Sequence, residues 1–204
     1  GGGILEGRVQ QLALKNIFSK ESGVYNFSLD KEIAFKSEAI CGGHVSVLID
    51  ASPQVHNSVF EKIRKSIQNR IPGILVTIVS GNEEINKSIN RYWITSENQS
   101  NLPDQCSFLS VGEIESLLST RHQNNFVLHE LPLNDRGESS FAFLEPVFPS
   151  PKLIIAGAGH IGKALAHLGN LLDFEVTVVD DREEFANKIN LPDAENIIVG
   201  DIGA

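Results

Sequence analysis

Methionine is absent from all 204 residues, position 1 included, and a chain without an initiator is expected to be a piece of a longer one. Cysteine is nearly absent. Cys41 and Cys106 cannot build a disulfide scaffold, so a reducing, cytoplasmic location is expected. Basic residues are in deficit, 17 Lys and Arg against 26 Asp and Glu, for a net charge of -9. Broad binding to nucleic acid or to an anionic membrane surface is therefore not expected, because both need a basic patch and these cations are scattered. No apolar run approaches the roughly 18 residues of a membrane-spanning helix. The opening Gly1-Gly2-Gly3-Ile4 reads as neither a signal peptide nor a transit peptide. Six histidines occur (His44, His56, His122, His129, His160, His167), and none stands at metal-ligand spacing. No serine sits in a nucleophile elbow, and nothing pairs Glu130 with Glu145 as acid and base. Trp93 beside Tyr92 reads as core or interface rather than a stacking platform.

What is present suffices for a packed core: 41% of residues are hydrophobic and 21% charged. Helical spacing of apolar residues predicts a helix over 5–19, and alternation predicts strands over 24–29 and 44–49. Ser52-Pro53 opens a helix to about residue 70, with Val55, Val59, Ile63 and Ile67 on one face. The continuous apolar run 74–79 predicts a buried strand, and 91–95 another. A polar loop follows over 96–105. Ser110, three residues before Glu113, predicts a capping box opening a helix to 119. Strands are expected over 126–131 and 140–147, with the turn signal Asn134-Asp135-Arg136-Gly137 between them. Pro146, Pro149 and Pro151 then punctuate the chain. The reading is α/β throughout: an N-terminal α/β domain over 1–148, its start missing, then a truncated Rossmann-like domain of doubly wound parallel type over 149–204.

The second domain carries the most specific motif. An apolar strand, 153–156, runs into Gly157-Ala158-Gly159-His160-Ile161-Gly162. In this context each glycine has a physical task. Gly157 permits the tight turn, Gly159 lets backbone approach a pyrophosphate, and Gly162 lets the helix pack closely on the strand. The helix is expected to bury Ile161, Ala164, Leu165, Leu168, Leu171 and Leu172, with its N-terminal amides favouring an anion. The second strand, 175–179, ends at Asp180, placed where a carboxylate accepts from both ribose hydroxyls. That charge would oppose a 2′-phosphate and favour NAD or an adenosine ligand, a preference Arg182 tempers. A Rossmann shape that binds no dinucleotide is the open alternative. A third strand is expected over 196–199, and a complete sheet needs about three more.

In the first domain, Cys41-Gly42-Gly43 leads into a strand. A thiol among exposed backbone amides gains thiolate character; a buried free cysteine beside a turn is the plainer alternative. His44 follows directly, and Cys106 reads as structural.

The order of these motifs resembles one family. Gly1-Gly2-Gly3 with Glu6, then Ala39-Ile40-Cys41-Gly42-Gly43, then the proline hinge, the glycine turn with its Gly159-His160-Ile161-Gly162 portion, and Asp180-Asp181-Arg182 are together similar to the xanthine dehydrogenase accessory factor family, often called XdhC/CoxI. The resemblance runs nearly the whole chain. It implies a maturation chaperone rather than an enzyme in the usual sense. Such a protein binds the molybdenum cofactor (molybdopterin), supports its sulfuration by a cysteine desulfurase and inserts it into a xanthine dehydrogenase-type molybdoenzyme, working as a homodimer or larger assembly. It further implies that Cys41 contacts the cofactor or its sulfur, with Gly42 and Gly43 shaping the pocket. Gly157, Gly159, His160, Gly162 and Asp180 complete the candidate cofactor-binding residues, with NAD or another nucleotide as a further ligand. In one departure, Ile4 stands where the family commonly has a second cysteine. The alternatives are an NAD-dependent oxidoreductase and a nucleotide-sensing regulatory protein.

Overall fold

The computed structural model describes residues 3–28, 43–119, 126–133 and 137–201, with nothing said of the Ile4 side chain. The chain forms two compact units, Gly1–Phe148 and Pro149–Ala204.

In the first unit, helix α1 (Ile4–Ser19) precedes an antiparallel pair, β1 (Gly23–Ser28) and β2 (His44–Ile49). The expected helix after Ser52 divides into a 3-10 turn, Pro53–His56, and α2 (Asn57–Gln68). Four further strands, β3 (Gly73–Ser80), β4 (Ser88–Ile94), β5 (Val127–Leu131) and β6 (Ser140–Val147), make an antiparallel sheet in the order β4-β3-β6-β5. Helix α3 (Val111–Ser119) lies between β4 and β5 in sequence. Because side chains alternate across a strand, one sheet face presents Ile74, Val76, Ile78, Ala142 and Leu144. These pack with Ile114 and Leu117 of α3 and with Cys106 into the buried core. Burial pushes the Cys106 thiol up to about 11, so this cysteine is an inert core residue.

Polar contacts fasten the helices to this frame. The Tyr25 hydroxyl donates to Asn16 Oδ1 at 2.8 Å, holding α1 to β1, while Leu14, Ile17 and Phe18 of α1 remain exposed. Trp93 Nε1 donates to Ser66 Oγ at 2.9 Å, joining β4 to α2. At α3 half of the capping box forms: the Glu113 N–H donates to Ser110 Oγ at 3.2 Å. The Glu113 carboxylate instead meets His129 Nε2 at 2.7 Å and ties the helix to β5. Replacing the cap, Ser110→Ala, is expected to lower the unfolding free energy by about 1 kcal/mol in denaturant titrations.

The second unit is a parallel sheet, β7 (Lys152–Ala156), β8 (Glu175–Asp180) and β9 (Asn196–Val199), in that spatial order, with α4 (His160–Leu171) connecting the first two. Its core gathers Ile155, Ala166, Val176, Val178, Leu191 and Ala194. The expected buried face of α4 is corrected by the structure. Ile161, Leu165, Leu168, Leu171 and Leu172 are 45% to 78% exposed, and Ala164 is exposed as well. The helix buries Gly162, Ala166 and Gly169 instead. Close approach selects for size rather than hydropathy: a Cβ at Gly169 would stand 2.7 Å from Leu153 Cδ2 and 2.9 Å from Val176 Cγ2. Among the described residues no helix is long and apolar enough to cross a membrane.

Candidate functional site

The glycine turn links the end of β7 to the start of α4, and its three glycines differ in what they would tolerate. Gly157 has φ +105°, a region that L side chains rarely adopt, and its N–H donates to the Val179 carbonyl at 2.7 Å. Gly162 lies so close beneath the turn that a Cβ there would stand 1.8 Å from the Gly157 carbonyl oxygen. Gly159 is the contrast, since a Cβ built on it meets nothing within 4 Å. It is the N-cap of α4 and supplies no side-chain cap, so the first amides of the helix face the space beside it. A cavity of about 580 Å³ lies there, with Gly159, His160, Lys163, His167, Phe185 and Asn190 among its walls. His167 Nδ1 stands 3.0 Å from Asp193 Oδ2.

Asp180 is placed at the end of β8, yet its carboxylate is turned inward and only 1% exposed. Oδ2 accepts from the Ala158 N–H at 2.6 Å and from Arg182 Nη2 at 2.9 Å. Oδ1 accepts from the Arg182 N–H at 2.9 Å and from Arg182 Nε at 3.0 Å. The Arg182 guanidinium first, then the two backbone N–H groups, hold this carboxyl well below the usual carboxylate range. Asp180 thus fastens the glycine turn to the end of β8. Asn190 completes the fastening, its Nδ2 donating to the Ala158 carbonyl at 2.8 Å and to the Phe185 carbonyl at 2.9 Å. Lys163, Phe185 and Asn190 are site residues that sequence reasoning misses. Only Lys163, one helical turn past Gly159, leaves any signal in the sequence.

Cys41 and Gly42 lie outside the described residues. Gly43 has φ +143° and immediately precedes β2, where His44 is exposed. The first unit also contains a cavity of about 710 Å³ with mostly apolar walls, among them Leu75, Phe60, Phe141 and Phe143, and with Arg91 and Glu145 as its charged lining. Arg91 Nη1 donates to Asp50 Oδ2, and its guanidinium lies 5.7 Å from the Phe60 ring centroid. Burial pushes the Glu145 carboxyl up, against the pull of Arg91. Among the described residues no cluster of three or more His, Cys, Asp or Glu side chains could hold a metal ion.

Residues 153–201 match the family described as the XdhC Rossmann domain. Over 176 residues the chain is 25% identical to a Bacillus subtilis (strain 168) protein named as a probable xanthine dehydrogenase subunit, covering 85% of this chain and 47% of that protein. A crystal structure of a xanthine dehydrogenase from Bacillus halodurans superposes with a TM-score of 0.59 at 18% identity, covering 98% of this chain and 54% of that one. At that identity the likeness is one of fold. The chain spans about half the length of both relatives.

Proposed function

We propose, on the premise that residues 153–201 are an XdhC Rossmann domain, that the chain is an accessory factor of a xanthine dehydrogenase-type molybdenum hydroxylase. In this role it binds the molybdenum cofactor, supports its sulfuration by a cysteine desulfurase and inserts it into the client enzyme. The observation that carries the reading is the glycine turn of that family. Gly159 keeps its side-chain space open, and the amides that follow it are uncapped beside Lys163 and His160. Backbone amides at a helix N-terminus suit the phosphate that the pyranopterin carries. When bound, the cofactor supplies the molybdenum centre that the client enzyme uses. On the resemblance alone, Cys41 is the proposed contact for molybdenum or its sulfur, since a soft thiolate suits that chemistry. An NAD-dependent oxidoreductase draws less support from the same turn, because Asp180 already accepts four hydrogen bonds from its own chain.

The test is the small-molecule content of the full-length protein purified from its native source. Acid release followed by mass spectrometry should yield the pterin, and NAD without pterin would overturn the reading. Cys41→Ala is expected to lose most of the carried cofactor. Undiminished retention would remove Cys41 from the mechanism while leaving the phosphate site in place.

A further inference from the structure

The glycine turn, its helix and the acid at the end of the second strand reproduce the parts of a dinucleotide site, but the acid is engaged. A carboxylate offers about four acceptor positions, two on each oxygen. All four of Asp180 are taken: one by the Ala158 N–H, one by the Arg182 N–H and two by the Arg182 side chain. The two backbone bonds are part of the turn itself and persist as long as it is folded. The two side-chain bonds fall one on each oxygen, through Nε and Nη2. Withdrawing the Arg182 side chain would therefore free one acceptor position per oxygen, the number that the 2′,3′-diol of a ribose needs.

The two partners differ sharply in accessibility. Asp180 is 1% exposed, whereas the Arg182 side chain is 51% exposed. The guanidinium rests 4.3 Å from the centroid of the Phe185 ring, and Nε lies 3.9 Å from the carboxylate of Asp181. About half of the guanidinium-bearing side chain is open to solvent, and it holds Asp180 through Nε and Nη2 alone, apart from the separate bond of its backbone N–H. Phe185 also lines the cavity beside the turn.

We propose that Arg182 is a built-in competitor for the ribose diol, so that the turn takes up phosphate-bearing ligands readily and admits a nucleoside ribose only when Arg182 swings off Asp180. The assignment does not depend on the accessory-factor reading. It makes Arg182 a specificity-determining residue, because a ligand without a ribose leaves the Asp180–Arg182 pair intact. A nucleotide must bind the fraction of molecules with Arg182 withdrawn, and its apparent affinity falls in proportion.

The experiment titrates the full-length protein with NAD⁺ and, separately, with inorganic pyrophosphate. Arg182→Gln is expected to bind NAD⁺ at least about tenfold more tightly than the parent, since the competitor is gone. Its affinity for pyrophosphate should stay the same or weaken, because a positive charge has been removed. An effect of charge alone would weaken both, so a gain for NAD⁺ only is the signature of the competitor. Adding Asp180→Asn to the first change should abolish the gain. Arg182→Lys keeps the charge but cannot bridge both oxygens in a planar fork, and is expected to fall between; it decides the matter if the Gln variant fails to fold. Folded variants that bind NAD⁺ no more tightly than the parent, or not at all, overturn the proposal.

Discussion

Replacing Gly162 by alanine should destabilise the second unit by about 3 kcal/mol or more, at the upper end of what an over-filled site costs. The new methyl would stand 1.8 Å from the Gly157 carbonyl oxygen and 2.9 Å from its carbonyl carbon. Those are backbone atoms and have no rotamer with which to yield. Nor is the turn free to back away. Gly157 N–H is bonded to Val179 at 2.7 Å, Ala158 N–H to Asp180 at 2.6 Å, and the Ala158 carbonyl to Asn190 at 2.8 Å. Either α4 lifts from β7 or these bonds break. Gly159→Ala is the matched control. Its Cβ meets nothing within 4 Å and its φ is -72°, so denaturant unfolding should stay close to that of the parent. The same methyl would, however, fill the space the turn keeps open, and any anion held against the α4 amides should bind more weakly. The pair of variants separates a glycine that the fold requires from one that a ligand requires.

The second large effect is expected at Asp50 in the first unit. Its carboxylate accepts from Arg91 Nη1 and from the Ser52 N–H at 2.9 Å, and the side chains of Arg91 and Asp50 are only 12% and 11% exposed. Burial alone would push the Asp50 carboxyl up. The hydrogen bonds from Arg91 and Ser52, with the charge of Arg91 behind them, outweigh that and bring it below the ordinary value. Asp50→Ala would leave the guanidinium largely buried without its anion, at a cost of about 2–4 kcal/mol. Glu145, which lines the same cavity as Arg91 and feels its charge, offers a replacement anion and is expected to hold the loss to the lower half of that range.

The dependence on pH follows from the same shift. A carboxyl with a lowered folded value contributes stability that is complete above its unfolded value of about 4 and disappears as pH falls through the folded value. His56 acts in the same direction but earlier. Burial first, then the charge of Arg91, lower its value, so the folded protein loses ground as pH falls below about 6.5. Unfolding free energies measured from pH 7 to pH 3 should therefore decline in two steps. Asp50→Asn should make the lower one smaller, the remainder belonging to Asp180, whose carboxyl is also held low.

The sequence discloses the elements of both units well and their interiors unevenly. Alternation in β2, the continuous apolar run of β3 and the strand–glycine–helix–strand order from β7 to β8 depend on local pattern alone, which one sequence contains. Hydropathy misplaces the buried face of α4 because it ranks leucine above glycine and alanine, while a helix lying close on a sheet needs small residues at 162, 166 and 169. Asp180 is legible from its position at a strand end. Its partners are not: saturation of a carboxylate is a matter of which way a neighbouring arginine turns, and no spacing rule encodes that. Asn190, which holds the turn from the β8–β9 connection, belongs to no periodic pattern. Cys41 and Gly42 lie outside the described residues, so their part in the proposed function rests on the motif and the resemblance.

Trp93, the single tryptophan, and both tyrosines, Tyr25 and Tyr92, belong to the first unit; residues 149–204 have neither residue type. Emission excited at the indole band therefore follows the first unit alone, whereas far-ultraviolet circular dichroism sums the helices and strands of both. With its indole N–H bonded to Ser66 and the residue only 7% exposed, Trp93 should emit toward the blue and shift red when α2 leaves β4. The two halves of the chain are thus optically distinguishable without a label. A lesion at Gly162 should appear in the dichroism of its own unit, and one at Asp50 should move both the dichroism and the indole signal.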